Sequence, residues 1–231
     1  MRPAPDYLIL ASTSPRRRQF LEQLGLPFTV IAPGSASGDT EIDETPLPNE
    51  APSEMVQRLS RDKAQAVLRA LPALFPQVNR YANVAIIAAD TSVVLRDRIL
   101  GKPATPAEAA AMLRALRDEP HLVYSGLTVA LAHPPARLAT RLHQSQVWMR
   151  PYTNADIEAY VATGSPLDKA GAYGIQDDDF APVARLEGCF ASVMGFPVAD
   201  LRMALADLGL ALPHVAPLCR RLTGQPCCAD H

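Results

Sequence analysis

The segment VAIIAAD, residues 84–90, constrains the fold of this chain more than any other stretch. Its leading residues are apolar and do not alternate with polar ones, as is typical of a strand covered on both faces. Because such a strand needs helices above and below its sheet, the segment predicts an α/β architecture. Asp90 closes the run, and we expect it at the carboxyl end of the strand, where open α/β sheets build their sites. The alternative is a structural aspartate that caps a turn.

Further strand and helix patterns surround this segment. Strands are predicted at 6–11, 27–31, 121–132 and 138–149, the last two as an antiparallel pair, and a hairpin is predicted to turn at Arg96–Arg98. Helices are predicted at 15–25, 53–71, 105–117, between Thr153 and Gly164, and at 197–208. The expected caps are Ser14, Ser53, Thr153, and Thr105 in a capping box with Glu108, while Gly25 and Pro72 are expected to stop the first two helices. The mixture predicts a mixed sheet.

Composition narrows the class of protein. With 231 residues, of which 48% are apolar, the chain can bury a good core as one domain or as two lobes around a cleft. A net charge of −2 argues against a nucleic-acid surface, because phosphate backbones select strongly basic faces. The apolar runs are too short for a membrane span or a signal peptide, so we expect a cytoplasmic protein without membrane contact.

The four cysteines are expected to be reduced thiols, because disulfides are rare in the cytosol. Cys189 is isolated, whereas the other three lie near the C-terminus. A metal clip of Cys219, Cys227 and Cys228 with His231 is the alternative, although this spacing matches no standard zinc pattern.

Three arginines occupy an unfavourable place at the start of the first predicted helix. Ser14 and Pro15 are good residues for the cap and the first position, which puts Arg16, Arg17 and Arg18 in the first turn. The helix dipole is already positive there, and each cation costs about 0.3–1 kcal/mol. Such a placement needs a compensating anion.

Helical spacing separates the roles of these arginines. Arg17 lies on the apolar stripe of this helix and is expected to point toward the protein body, and Arg16 borders the same stripe. Arg18 precedes Glu22 by four residues and is expected to be a solvated surface charge. For Arg16 and Arg17 two interpretations stay open: salt bridges to nearby acids, or a phosphate site at the helix N-terminus.

Two lysines and an acidic loop carry related signals. Lys63 lies within an apolar stripe of the 53–71 helix, where a lysine either extends to the surface or projects into a cleft with an anion. Lys102 lies in the stiff turn LGKP. The long loop before the helix contributes acids that include Glu44. Carboxylates among phosphate-seeking cations suit Mg²⁺ or Mn²⁺ bound together with substrate phosphates. Neither G-x-x-x-x-G-K-[ST] nor G-x-G-x-x-G is present, so both common nucleotide cradles are absent from the sequence.

Several motifs occur in an order and spacing that resemble the Maf family: LASTSPRR, IDE, RLSRDKA, AADT, LGKP, PLDKAGAYGIQ and VMGFP. The resemblance extends from Leu8 to about Leu208. It implies a single Maf-like domain, taken here as residues 1–231, with a fold like the inosine-triphosphate pyrophosphatases: two α/β lobes around a central cleft and a mixed sheet. The implied activity is metal-dependent hydrolysis of a nucleoside triphosphate to the monophosphate and pyrophosphate, usually by a homodimer.

The resemblance also implies roles for individual residues. Catalytic roles fall to Asp90, as proton acceptor, and to Glu44, Lys63 and Lys102, with Glu44 and Asp90 as metal ligands. Substrate contacts are implied for Ser12, Ser14, Arg16, Arg17, Thr91 and Gln176. Arg16, Thr91 and Gln176 are similar to the branch that acts on dTTP and UTP, whereas the branch that acts on 7-methyl-GTP typically has Trp, Gln and Glu there. A glutamine amide can donate to and accept from a pyrimidine edge.

The sequence alone leaves the role of Asp90 and the function of the protein with alternatives. Asp90 could be the general base, a metal ligand or both. The alternative function is a nucleotide-binding regulator of cell division, which would need no carboxylate at position 90.

Asp168 and Lys169 are expected to pair and hold the loop that carries Gln176. The acidic triplet DDD after Gln176 and the pair Cys189–Phe190 depart from the family pattern, which leaves the contacts of this loop and the fine substrate selectivity open.

Overall fold

A seven-stranded mixed sheet forms the centre of the protein, as described by a computed structural model for residues 3–36, 42–133, 135–212 and 215–225. The strands are β1 (Tyr7–Leu10), β2 (Phe28–Val30), β3 (Val84–Leu95), β4 (Arg98–Leu100), β5 (Pro120–Leu131), β6 (Leu138–Met149) and β7 (Val183–Glu187). The strand order is β2-β1-β3-β5-β6-β7, and β4 pairs with β3. β1 pairs in parallel with β2 and β3, and the other pairs are antiparallel. The predicted α/β fold with a mixed sheet is confirmed.

Helices cover both faces of this sheet. They are α1 (Pro15–Glu22), α2 (Pro52–Leu74), α3 (Pro106–Leu116), α4 (Asn154–Ala162), α5 (Phe190–Val193), α6 (Val198–Asp207) and α7 (Val215–Thr223). Short 3₁₀ turns lie at Pro33–Ala36, Pro76–Arg80, Ser165–Asp168 and Ala170–Ala172. Within the described ranges, none of the helices combines the length and the apolar character that a membrane span requires. The sequence patterns did not predict β7, α5 or α7.

The apolar run of β3 is covered on both faces, as predicted. Ala85 and Ile87 pack in one cluster with α1, α6 and α7, while Ile86 and Ala88 pack in another with α2. Farther along the strand, Val93 joins a third cluster with β4, α3 and α4. The long strands β3 and β5 therefore pass from one lobe of the core into a second lobe. Whether residues 1–231 form a single domain stays a prediction.

The start of α1 differs in detail from the prediction. Ser14 lies at the cap position, but its hydroxyl caps nothing; its backbone N–H instead donates to Ser12 Oγ at 3.1 Å. The helix ends at Glu22 rather than at Gly25.

At α3, Thr105 caps as expected, but the Glu108 carboxylate accepts from the N–H of Ala104, so the capping box is only half formed.

The expectation for α2 is wrong at both ends. The helix begins at Pro52, and the carboxylate of Glu54 accepts from the N–H of Ala51 at 3.1 Å, so Ser53 is no cap. It also continues through Pro72 to Leu74. A proline inside a helix costs about 3 kcal/mol. Here it falls in the last turn, which the buried side chain of Leu71 anchors in the core.

The predicted position of Asp90 is also wrong, because β3 does not end there. The strand has 12 residues, and Asp90 lies in its middle, opposite Gly126 of β5. The residues after Asp90 stay extended because they pair with β5 and β4. β1 pairs with β3 only as far as Ile87, and β4 pairs only from Val93, so the edge of β3 between them borders a cleft. Asp90 reaches the site from this gap rather than from a strand end.

Two cysteine predictions differ in outcome. Cys189 is a buried reduced thiol, as expected. The expectation for Cys227 and Cys228, and the alternative clip with His231, fall on residues outside the described ranges.

Gly126 brings α2 close to the sheet. A Cβ at this position would lie 2.2 Å from the Val56 carbonyl oxygen and 2.8 Å from the Gln57 nitrogen, so only glycine allows this approach. Since Gly126 is paired with Asp90, the close contact also fixes how near the face of α2 lies to that carboxylate.

We predict that Gly126→Ala lowers the free energy of unfolding by about 1–3 kcal/mol or more, because α2 must move off the strand. Urea denaturation of the purified chain measures the loss. Gly34→Ala is the matched control, since a Cβ there meets nothing within 4 Å. Equal stability of the two variants would contradict the proposed packing.

Candidate active site

A cavity of about 460 Å³ lies at the gap between β1 and β4. Its wall includes every predicted site residue except Ser12, namely Ser14, Arg16, Arg17, Glu44, Lys63, Asp90, Thr91, Lys102 and Gln176. These residues come from separate parts of the sequence, and the fold brings them to one space. Ser12 is buried beside the wall and contacts Arg17. The structure thus assembles the predicted set, while the functional role of each member stays a prediction.

Lys63 connects the two predicted metal ligands. Its Nζ lies 2.7 Å from Asp90 Oδ1 and 2.6 Å from Glu44 Oε1. The side chains of Lys63 and Asp90 are each only 12% exposed, whereas that of Glu44 is 61% exposed. Burial raises the pKa of Asp90, and the nearby Lys63 and Arg17 charges oppose this rise. Of the two interpretations for Lys63, the structure shows projection into a cleft.

Arg17 points into the protein, as its position on the stripe of α1 predicts. Its Nε donates to the Gly195 carbonyl at 2.9 Å and its Nη1 donates to Ser12 Oγ at 3.3 Å. Burial lowers the pKa of Arg17, and the Asp90 carboxylate opposes this change. Gly195 has a φ of +97°, which disfavours other residues at the point where its carbonyl meets the guanidinium.

Arg16 forms the salt bridge that one of its two interpretations predicts. Its Nη1 lies 2.9 Å from Asp168 Oδ2, and Lys169 Nζ lies 2.9 Å from the other carboxylate oxygen. Burial favours a higher pKa for Asp168, but hydrogen bonds from Lys169 and Arg16 outweigh it, so the pKa is lowered. The expected Asp168–Lys169 pair is confirmed. Arg18 pairs with Glu22 at 2.8 Å on the surface, as expected.

Thr91 and Lys102 occupy different parts of the wall. The Ser125 hydroxyl donates to the Ser192 carbonyl at 2.8 Å, so the hydrogen bond between Thr91 Oγ1 and Ser125 Oγ, also 2.8 Å, must use the proton of Thr91. This leaves the lone pairs of Thr91 available as acceptors. Lys102 is exposed at the rim.

The apolar part of the wall was not predicted from the sequence. This part includes Met55, Leu59, Ile99, Tyr173, Ile175 and Met194. Met55 and Leu59 precede Lys63 by eight and four residues on α2, so they share its helical face. A lysine that projects into a cleft therefore implied that its stripe neighbours also border that cleft. The Gly195 carbonyl gave no comparable signal.

The carboxylates fit a divalent cation that is shared with a substrate. Glu44 and Asp90 both contact one cationic group, so their oxygens converge on the same part of the cavity. Mg²⁺ is typically held by one or two carboxylates together with substrate phosphates and water. Within the described residues, no group of three or more His, Cys, Asp and Glu side chains could hold a metal alone.

We predict that the pKa of Asp90 in the ligand-free chain lies above the ordinary value of 3.8, and that Lys63→Met raises it further by removing the nearest opposing charge. A ¹³C NMR titration of labelled aspartate carboxyls measures both values, with Asp90→Asn for assignment. Lys102→Met, which removes the lysine at the rim, should leave the pKa unchanged. A wild-type value at or below 3.8, or no response to Lys63→Met, would contradict this electrostatic description.

The chain is similar to several known proteins. Two curated relatives, each named dTTP/UTP pyrophosphatase, come from Pasteurella multocida (41% identity over 203 residues, 88% of this chain and 96% of the relative) and Halalkalibacterium halodurans (44% over 204 residues, 88% and 97%). Among solved structures, the Staphylococcus aureus Ham1 protein is similar over 63% of this chain and 72% of its own, with 14% identity and a TM-score of 0.37. The family described as Maf-like protein matches residues 7–208, and the chain therefore belongs to the Maf family.

Proposed function

We propose that this enzyme hydrolyses dTTP and UTP to the monophosphate and pyrophosphate, with a divalent metal as cofactor. The observation that carries the proposal is the buried Asp90 carboxylate, placed between cationic groups inside the cavity. A nucleotide-binding protein without turnover has no need for a carboxylate there, because it would repel the phosphates. The names of the relatives, which match most of this chain, support the same activity.

The cations of the wall would bind the triphosphate. Arg17 and Lys63 lie inside the cavity, and Arg16 and Lys102 also border it. Phosphoryl transfer spreads negative charge over non-bridging oxygens, which fixed cations stabilise most in a poorly solvated site. For Arg16, binding means exchanging the Asp168 carboxylate for a phosphate.

Asp90 would accept a proton from the water that attacks the α-phosphorus. A general base works best when its pKa is moved toward the working pH, and burial raises the pKa of Asp90 in that direction. Lys63 holds the carboxylate by its Oδ1 and so limits its orientation. The Asp90 carboxylate would also serve as a metal ligand together with Glu44.

Oxygen atoms of Glu44 and Asp90 would hold the metal, which when bound offsets phosphate charge and makes pyrophosphate a better leaving group. We also propose that Gln176 contacts the pyrimidine edge, since its amide can both donate and accept. The family resemblance supports a homodimer, and the net charge of −2 and the short apolar runs argue against nucleic-acid and membrane partners. We include both in the proposal.

We predict that wild-type protein with dTTP or UTP and Mg²⁺ releases pyrophosphate, and that Asp90→Asn lowers kcat by orders of magnitude while the fold is retained. Separate assays for pyrophosphate and orthophosphate, with circular dichroism for folding, measure the two effects. Asp97→Asn makes the same chemical change at an exposed turn and should keep full activity. Release of single orthophosphate, or tight nucleotide binding without turnover by the wild type, would contradict the proposal.

We predict that chelation abolishes pyrophosphate release, that Mg²⁺ or Mn²⁺ restores it, and that Glu44→Gln increases the metal concentration for half-maximal rate about tenfold or more, because a carboxylate ligand is lost. A titration of initial rate against free metal gives this value. Glu158→Gln, at an exposed position of α4, is the matched control. Full activity in the chelator, or an unchanged metal requirement in Glu44→Gln, would overturn the metal assignment.

A further inference from the structure

The loop that carries Gln176 is held by a side-chain network that the proposed chemistry does not use. The network centres on Asp177, the first residue of the acidic triplet that departs from the family pattern. Its carboxylate accepts a hydrogen bond from the Tyr160 hydroxyl and another from Ser165 Oγ at 3.3 Å. Lys169 Nζ lies 3.8 Å from the same oxygen, Oδ2.

The backbone around Gln176 depends on this carboxylate. The N–H of Asp177 donates to the Gly174 carbonyl at 3.2 Å, which closes a tight turn with Gln176 inside it. The N–H of Gly174 donates to the Tyr160 hydroxyl at 3.2 Å, so both ends of the turn meet the same phenol. A Cβ on Gly174 would lie 2.7 Å from the Asp177 carboxylate, and the turn therefore closes directly over that group.

The anchor of this network is rigid. Tyr160 is only 6% exposed, and its ring stacks on Phe180 with centroids 4.1 Å apart and an interplanar angle of 10°. Burial and the Asp177 carboxylate raise the pKa of Tyr160, so the phenol keeps its proton and donates it. Lys169 is also nearly buried, and its Nζ donates to the Ser165 carbonyl at 2.6 Å. Because this ammonium group also lies near the Asp177 carboxylate, it links the 3₁₀ turn Ser165–Asp168 to Asp177.

We propose that Asp177 is a positioning residue that fixes the Gln176 turn through Tyr160 and thereby sets the selectivity for pyrimidine bases. Asp177 and Tyr160 are absent from the cavity wall, whereas Gln176 belongs to it, so their effect on the base passes through the turn. The side chains proposed to act on the phosphates, Arg16, Arg17, Lys63, Lys102 and Asp90, lie on other elements; Lys169 of the network borders the cavity but is not among them. The network therefore affects base recognition and leaves the chemical step to the phosphate side of the cavity. This inference depends on the proposed function and on the base contact of Gln176.

If Asp177 only positions the Gln176 turn, removing its carboxylate should change KM and leave kcat nearly unchanged. With Asp177→Ala, the turn loses its acceptor, and the KM for dTTP should rise by about tenfold, since a hydrogen bond to a charged group contributes about that factor or more. The kcat should stay within about twofold, because the residues near the phosphates are unchanged. The preference for dTTP over dGTP, measured as a ratio of kcat/KM, should fall by a similar factor.

Tyr160→Phe provides an independent variant that removes only the hydroxyl and leaves the ring stack on Phe180 in place. It should reproduce the rise in KM. Asp178→Ala is the matched control within the same triplet, because Asp178 is exposed, and it should change neither KM nor selectivity.

A double-mutant cycle tests whether Asp177 acts through Gln176. If it does, Gln176→Ala and Gln176→Ala/Asp177→Ala have the same KM and the same base preference. Independent, additive effects of the two substitutions would overturn the inference, as would a large fall in kcat alongside the rise in KM, or an Asp177→Ala protein that behaves like Asp178→Ala. Absence of pyrophosphate release by the wild type would instead defeat the proposed function, so the two failures are distinguishable.

Discussion

The ion pair of Lys63 and Asp90 places two charges in a part of the protein that water hardly reaches. Removing each ion from water costs several kcal/mol, and the mutual attraction of a buried pair often only balances that cost. Such a pair contributes little stability, yet losing Lys63 removes the nearest charge that compensates the buried Asp90 carboxylate. Its geometry depends on a contact elsewhere, because α2 can approach β3 and β5 closely only where Gly126 has no side chain. A costly pair on a cavity wall indicates chemistry more than structure.

In the ligand-free protein, most cations of the site donate hydrogen bonds to acceptors of the protein itself. Lys63 contacts two carboxylates, Arg17 a backbone carbonyl, and Arg16 the Asp168 carboxylate. The contacts of Arg16 and Arg17, together with the surface pair of Arg18 and Glu22, explain how the first turn of α1 tolerates three arginines. They also define what a polyphosphate must replace: the exposed Glu44 and Asp168 side chains can move away more easily than the buried Asp90. Under the proposed function, the gap along the edge of β3 would give the substrate access to that carboxylate.

The sequence predicted those features that depend on local spacing. The apolar run before Asp90 indicated a strand covered on both faces, and helical spacing directed Arg17 inward. Local spacing gave wrong ends for β3 and α2, because tertiary contacts decide how far these two elements extend. β3 continues past Asp90 because β4 and β5 pair with it, and α2 continues past Pro72 because Leu71 is buried in the core. Asp168 as the partner of Arg16 and the Gly195 carbonyl as a partner of Arg17 were beyond prediction, since they lie 152 and 178 residues away in the chain.

The most direct test of the account is a crystal structure with Mg²⁺ and dTTP whose α,β-bridging oxygen is replaced by a methylene group, which blocks the proposed cleavage. We predict that Arg17 and Lys63 contact phosphate oxygens, that Arg16 has left Asp168, and that the α-phosphorus is the phosphorus nearest Asp90. A nucleotide bound outside the cavity, or one whose γ-phosphorus lies nearest Asp90, would contradict the account.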